Sequence, residues 1–164
     1  MAKARPIPDL RADDTYAQAA AKIVRVRSQE LADHSRGVLE MGDIERLHDM
    51  RVATRRLRAG LEVFAPCFDR KAHRDALRGV KELADALGER RDRDVAVAAL
   101  EAFAAQLEGA DRDGVERLIG SLRMQQLQAN EALRPQVSAD RLTRLRTSLD
   151  ELVRGAKGTQ GRRA

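Results

Sequence analysis

The sequence predicts an all-α protein, an antiparallel helical bundle of five or six helices. Three observations predict it. Apolar residues recur at three- and four-residue spacing along most of the 164 residues. No stretch alternates apolar and polar as a half-buried strand does. With no Trp, one Tyr and three Phe, the core has to be built from Leu, Ala and Val, which suits close helix packing. A chain of this length fits one domain and can bury roughly 68–70% of the surface its unfolded form exposes.

Residues 1–14, with Pro6 and Pro8 among mixed charges, read as a mobile lead-in, and the helical domain is expected over 15–154. Thr15-x-x-Gln18 has the form of a capping box. Behind it Tyr16, Ala20, Ile23, Val24, Leu31 and Val38 recur at helical spacing to about Met41. Arg27 and His34 fall on that same apolar side. His34 is read either as a hydrogen-bonded histidine near the core or, with Arg27, as pointing towards a site on the next helix.

Gly42-Asp43 reads as a turn and N-cap for a second helix that Pro66 limits soon after Phe64. The short connection implies antiparallel neighbours. A third helix is expected from near Asp69 to Leu87, closed by Gly88 at its C-terminal end. Further helices follow at about 93–108, 112–133 and 139–154, divided by Gly109 and Pro135, with Ser138 as a cap. Residues 155–164, GAKGTQGRRA, are Gly-rich and basic, a composition expected to be disordered.

The second helix carries the functional signal. Residues 47–58, LHDMRVATRRLR, hold His48, Arg51, Arg55, Arg56 and Arg58 against one acid, Asp49. At about 100° per residue, His48, Arg51, Arg55 and Arg58 project within about 80° of one another, with Met50, Ala53, Leu57, Leu61 and Phe64 on the opposite side and Arg56 at the shoulder. The stripe spans about 15 Å at ~1.5 Å per residue. Like charges one turn apart repel, so something anionic compensates: a ligand, or acids on neighbouring helices. On the third helix Arg74, Arg78 and Lys81 form a second basic row beside the apolar face, read either as the other wall of a groove or as solvated surface. Residues 46–81 carry a net charge of +6 while the rest of the chain carries −1, within a total of +5. A field confined to one pair of helices points to an anionic partner.

These residues carry a family resemblance. His48-x-x-Arg51-x-x-x-Arg55-Arg56-x-Arg58 is similar to the signature helix of the CHAD family, the conserved histidine α-helical domain. Leu87-Gly88-Glu89-Arg90-Arg91-Asp92-Arg93-Asp94-Val95 resembles the Leu-Gly-x-x-Arg-Asp-x-Asp-Val turn that follows in that family. The resemblance covers about residues 15–154 and implies a basic channel that binds inorganic polyphosphate without catalysing a reaction. Lys81 matches the basic residue commonly found before Leu-Gly. The usual family domain has two similar helical halves, each with a basic helix, and this chain has one such helix. A CHAD-like half-domain is therefore expected, with two chains of a homo-oligomer supplying the two halves. Asp92 and Asp94 are expected to cap the next helix or to orient neighbouring arginines, leaving Arg91 structural or at the edge of the site. The resemblance also implies a place at polyphosphate granules.

The chemistry of the stripe agrees with that ligand. Polyphosphate has no base edges and no ring faces, so rows of guanidiniums suffice to hold it. His48 would donate to phosphate as a neutral or charged ring, or else bond a backbone group near the helix end. Nucleic acid is the main rival, because phosphate attraction alone is sequence-independent, but the basic helix lacks Asn or Gln to read adenine. A helical module docking an acidic protein is a third class. No Gly-rich phosphate loop and no nucleophile elbow suggests an enzyme, and no cofactor is expected. His34, His48 and His73 with Cys67 show no metal-ligand spacing. The lone cysteine indicates a reducing compartment, and the start MAKARPIPDL has no apolar leader core; cytoplasm is the expected location and no membrane is expected as a partner.

Overall fold

The computed structural model describes residues 3–157. Five α-helices, α1 (Tyr16–Asp33), α2 (Ile44–Val63), α3 (Arg70–Ala104), α4 (Gly109–Leu133) and α5 (Ala139–Arg154), follow one another with 3-10 turns at Ala65–Cys67 and Arg134–Val137. Among the described residues there is no strand, and no helix is long and apolar enough to cross a membrane. Of the end expected to be disordered, 155–164, residues 155–157 are described, with Ala156 against the core and the Lys157 N–H donating to the Cys67 carbonyl, and 158–164 lie outside the described residues.

The caps read from the sequence start three helices. The Thr15 hydroxyl accepts from the Gln18 N–H while the Gln18 side chain accepts from the Thr15 N–H, so two orphan donors are satisfied reciprocally. The Asp43 carboxylate accepts from Glu45 N–H at the start of α2, and the Ser138 hydroxyl accepts from Arg141 N–H at the start of α5. The lead-in is tied to α1: Arg5 pairs with Asp33, and Lys22 donates to the Asp9 carbonyl and the Asp14 carboxylate.

Two helices do not end where the sequence pattern placed them. The first stops at Asp33, not near Met41. Ser35 turns its hydroxyl back to the Ala32 carbonyl, and Gly37 adopts φ +69°, where an added Cβ would lie 2.5 Å from an Arg46 nitrogen. That turn drops Val38 into the core as a plug separate from the helix. The third helix does not stop at Gly88: α3 runs 35 residues through it, so the helices expected at 69–87 and 93–108 are one. An interior glycine costs about 1 kcal/mol relative to alanine, which the packing of Leu83, Leu87 and Val97 on its inner face readily offsets.

Neighbouring helices run antiparallel. Tyr16 Oη donates to the Val63 carbonyl, joining the start of α1 to the end of α2. His73 bonds the Leu61 carbonyl and Arg91 the Ile44 carbonyl, fixing α2 against the first two-thirds of α3. Arg123 of α4 reaches Glu101 of α3. The main core gathers Val24, Leu31, Leu47, Met50, Leu57, Leu61, Val80, Leu83, Leu87, Leu133 and Leu149 from all five helices. A second, smaller cluster of Val97, Ala104 and Ile119, with Leu100, Val115 and Leu122, is made by α3 and α4 alone. Cys67 is buried, and burial pushes its thiol pKa up, so it behaves as a small apolar residue.

Candidate functional site

Antiparallel packing of α2 on α3 leaves an open groove of about 570 Å³ lined by Arg51, Arg55, Arg58, Ala84, Asp85, Gly88, Glu89 and Asp92. Three of the four stripe residues thus converge on one cavity, while their helix is anchored from behind by Leu47, Met50, Ala53, Leu57 and Leu61. Among the described residues neither Arg51 nor Arg55 has an ion-pair or side-chain hydrogen-bond partner. Arg58 donates to Glu62 at 2.9 Å, and Lys81 of α3 approaches the same carboxylate at 3.8 Å. The Arg58 hydrogen bond, helped by the charges of Arg58, Lys81 and His73, holds the Glu62 carboxyl below its ordinary range. Lys81 therefore sits beside Arg58 at one end of the groove. His48, half-buried one turn before Arg51, lies towards the other end, and no described residue hydrogen-bonds its ring.

The opposite wall is acidic. Across from Arg51, Arg55 and Arg58 of α2, α3 lines the groove with Asp85, Glu89 and Asp92 beside Ala84 and Gly88. Arg74, Arg78 and Lys81, read from the sequence as the other wall of a groove or as solvated surface, are not among its lining: Arg78 pairs with Asp75 at 3.1 Å and approaches Glu82, and Arg74 is exposed. Gly88 forms part of the floor: a Cβ there would meet nothing within 4 Å.

The remaining expected residues face elsewhere. Arg56 and Arg27 both grip Glu30, at 3.0 Å and 2.7 Å, and the backbone N–H of Arg5 adds a third donor. Glu30 is fully buried between α1 and α2. Burial alone would raise its pKa, but the Arg27 bond, the Arg5 N–H and the charges of Arg27 and Arg56 outweigh it and hold the carboxyl below its usual value. His34 is the C-cap of α1, away from the groove. Arg91 is structural in effect, joining α3 to the first turn of α2. Asp92 and Asp94 cap no helix, because both lie inside α3.

Asp94 instead forms a buried network. Its carboxylate lies 3.0 Å from Arg90 one turn earlier and accepts from Gln126 of α4 at 2.6 Å. Arg90 also reaches Asn130, whose amide donates to the Leu39 carbonyl. Burial lowers the Arg90 pKa despite the Asp94 charge beside it. Asp94 does orient an arginine, on the side of α3 that meets α4 and not in the groove.

The profile of the CHAD domain matches residues 22–164. The chain belongs to the CHAD domain family. A comparison with curated proteins returned no match. CHAD domains are associated with polyphosphate binding and serve as binding modules. In this CHAD domain the signature helix is α2, and the Leu-Gly motif is no turn: it is the middle of α3, where Gly88 and Asp92 line the groove and Arg90 and Asp94 hold α4. Among the described residues no group of three or more His, Cys, Asp or Glu side chains could hold a metal ion.

Two features escaped the sequence pattern, the acidic wall and the Arg90 network. Both needed α3 to be carried through Gly88. With the helix continuous, Leu83, Leu87, Arg90, Asp94 and Val97 fall on one inner line, and Asp85, Glu89 and Asp92 form one row at i, i+4, i+7.

Proposed function

We propose that this CHAD domain binds inorganic polyphosphate without catalysis, through Arg51, Arg55 and Arg58 in the α2–α3 groove, with His48 and Lys81 at its two ends. The observation that carries the reading is the pair Arg51 and Arg55: two guanidiniums one turn apart open onto a common groove with no partner among the described residues. Charges that an ion pair has not neutralised are the ones available to phosphate oxygens, as charge-assisted and frequently bidentate donors. Arg56, committed to buried Glu30, supports the helix and contributes only long-range charge. Self-association that brings two such helices together belongs to the same reading.

The test is competition at about physiological salt, where weak Coulombic contacts are largely screened, between labelled long-chain polyphosphate and single-stranded DNA of matched total charge. Polyphosphate is expected to win by more than about tenfold, or ~1.4 kcal/mol, and Arg51→Ala/Arg55→Ala to lose that margin. Equal competition, with the double variant weakening both polymers alike, would make the protein a generic polyanion binder.

A further inference from the structure

The last turn of α2 is held from both sides. His73 of α3 bonds the Leu61 carbonyl at 2.8 Å, and Tyr16 Oη of α1 donates to the Val63 carbonyl at 2.8 Å. The final carbonyls of a helix have no partner within it, and here two of them are satisfied by neighbouring helices. The residues on either side of Glu62 are thus pinned, while the Glu62 carboxylate stands 44% exposed. It accepts from Arg58 Nε at 2.9 Å and lies 3.8 Å from Lys81 of α3. Arg58 lines the groove and Glu62 does not.

We propose that Glu62 is a positioning residue for the polyphosphate site, holding Arg58 by Nε so that its Nη groups are left for the ligand, and drawing Lys81 across from α3 to the same end of the groove. Among the described residues neither Nη group of Arg58 has a hydrogen-bond partner. With Nε taken, the edge formed by the two Nη groups is free to meet a phosphate bidentately. The pull on Arg58 runs away from Arg55, which stands three residues before it on the same face and repels it. Two cations share the one carboxylate, so this end of the groove stays positive. An exposed ion pair contributes little to folding. Its effect falls on binding, because a long side chain that the ligand must itself immobilise weakens affinity by roughly three- to tenfold.

The inference deepens the polyphosphate reading and rests on it. It also runs against what charge alone dictates. An acid beside a polyanion opposes binding, and its removal raises affinity. That holds for Asp85, Glu89 and Asp92, none of which accepts a hydrogen bond from an α2 arginine among the described residues. Glu62 differs because a groove arginine is bonded to it. Its removal takes away a negative charge and an ordering contact together, and the sign of the result shows which prevails.

Titration of the native chain, Glu62→Ala and Glu62→Gln with long-chain polyphosphate and with single-stranded DNA of matched charge, at several salt concentrations, decides it. Glu62→Ala is expected to bind polyphosphate about threefold more weakly although it removes a negative charge. Its plot of log affinity against log salt is expected to become shallower by about one, as when a phosphate contact is lost. Glu62→Gln keeps an oxygen that accepts from Arg58 Nε, and is expected to bind at least as tightly as the native chain with an unchanged slope. In an Arg58→Ala/Lys81→Ala background nothing remains to be positioned, and Glu62→Ala is expected to raise affinity. Both Glu62 substitutions lie at an exposed position and should leave the helical circular dichroism spectrum unchanged; should Glu62→Ala lose it, the equally short Glu62→Ser takes its place. Affinity of Glu62→Ala at or above the native value overturns the positioning role, and so do two variants that weaken binding alike. A native chain that prefers neither polymer overturns the polyphosphate reading instead, and the direction of the Glu62→Ala shift on both polymers still decides the role of Glu62. Failure to bind either polymer overturns both.

Discussion

The two sides of α2 use the same residue type differently. On the side facing α1, Arg56 meets a fully buried carboxylate that Arg27 and a backbone N–H also grip. On the side facing α3, Arg51 and Arg55 open onto a groove without partners among the described residues. Arg55 and Arg56 are adjacent in the chain, and about 100° separates them on the helix. The count of arginines in a basic helix therefore overstates its binding face: those whose direction meets a buried acid hold the helix, and those beside them are left for a ligand.

The largest effect expected from breaking this contrast is at Glu30. Glu30→Ala leaves Arg27 and Arg56 without their shared partner in a mostly buried setting, and breaking a buried pair from one side costs about 3–5 kcal/mol. Urea unfolding at pH 7 measures it. The pH dependence carries a sign. Because the folded-state pKa of Glu30 lies below its ordinary 4.5, its contribution is fully present above about pH 4.5 and is lost as pH falls through the lowered value. The stability gap between the native chain and Glu30→Ala should thus narrow on acidification. A gap constant from about pH 7 to about pH 3 would mean that the ion pairs contribute nothing and that only packing was removed.

A crossed pair of variants sharpens the division. Arg56→Ala should cost about 1–3 kcal/mol of stability, the worth of a hydrogen bond to a charged group, while lowering polyphosphate affinity by less than about threefold. Arg55→Ala should leave stability within about 0.5 kcal/mol, as substitutions away from buried features do, while lowering affinity roughly fivefold, or ~1 kcal/mol. Thermal unfolding and polyphosphate titration on both variants give four numbers. If the two substitutions behave alike, the contrast between the faces of α2 has no energetic content.

Much of this was legible in the residues. The apolar periodicity, the caps at Thr15, Asp43 and Ser138, and the direction of the His48–Arg58 stripe follow from local rules that tertiary packing did not override. The helical period puts Arg56 at the shoulder, but its partner Glu30 lies 26 positions away, and nothing local announces a contact between two helices. Gly88 misleads most. Glycine after a leucine is a common helix stop, yet here Leu83 and Leu87 before it and Arg90 and Asp94 after it are buried, and the helix runs through. With α3 cut in two, Asp85 belongs to one helix and Glu89 and Asp92 to a turn, and the acidic wall cannot be seen.

That wall supplies the smallest and most diagnostic expectation. Asp85, Glu89 and Asp92 share the groove with Arg51, Arg55 and Arg58, so a polyanion lying between the walls meets three carboxylates as well as three guanidiniums. They are exposed, and each contributes weakly through solvent. Asp85→Asn/Glu89→Gln/Asp92→Asn should therefore raise polyphosphate affinity by about three- to tenfold at physiological salt, an increase that fades as salt screens the repulsion. Titration at two ionic strengths separates the alternatives. No change at either would place the ligand on the outer edge of α2, beyond reach of α3. A fall in affinity would mean that the carboxylates hold the arginines in the orientation that binds, and the acidic wall would then be part of the site and not a brake on it.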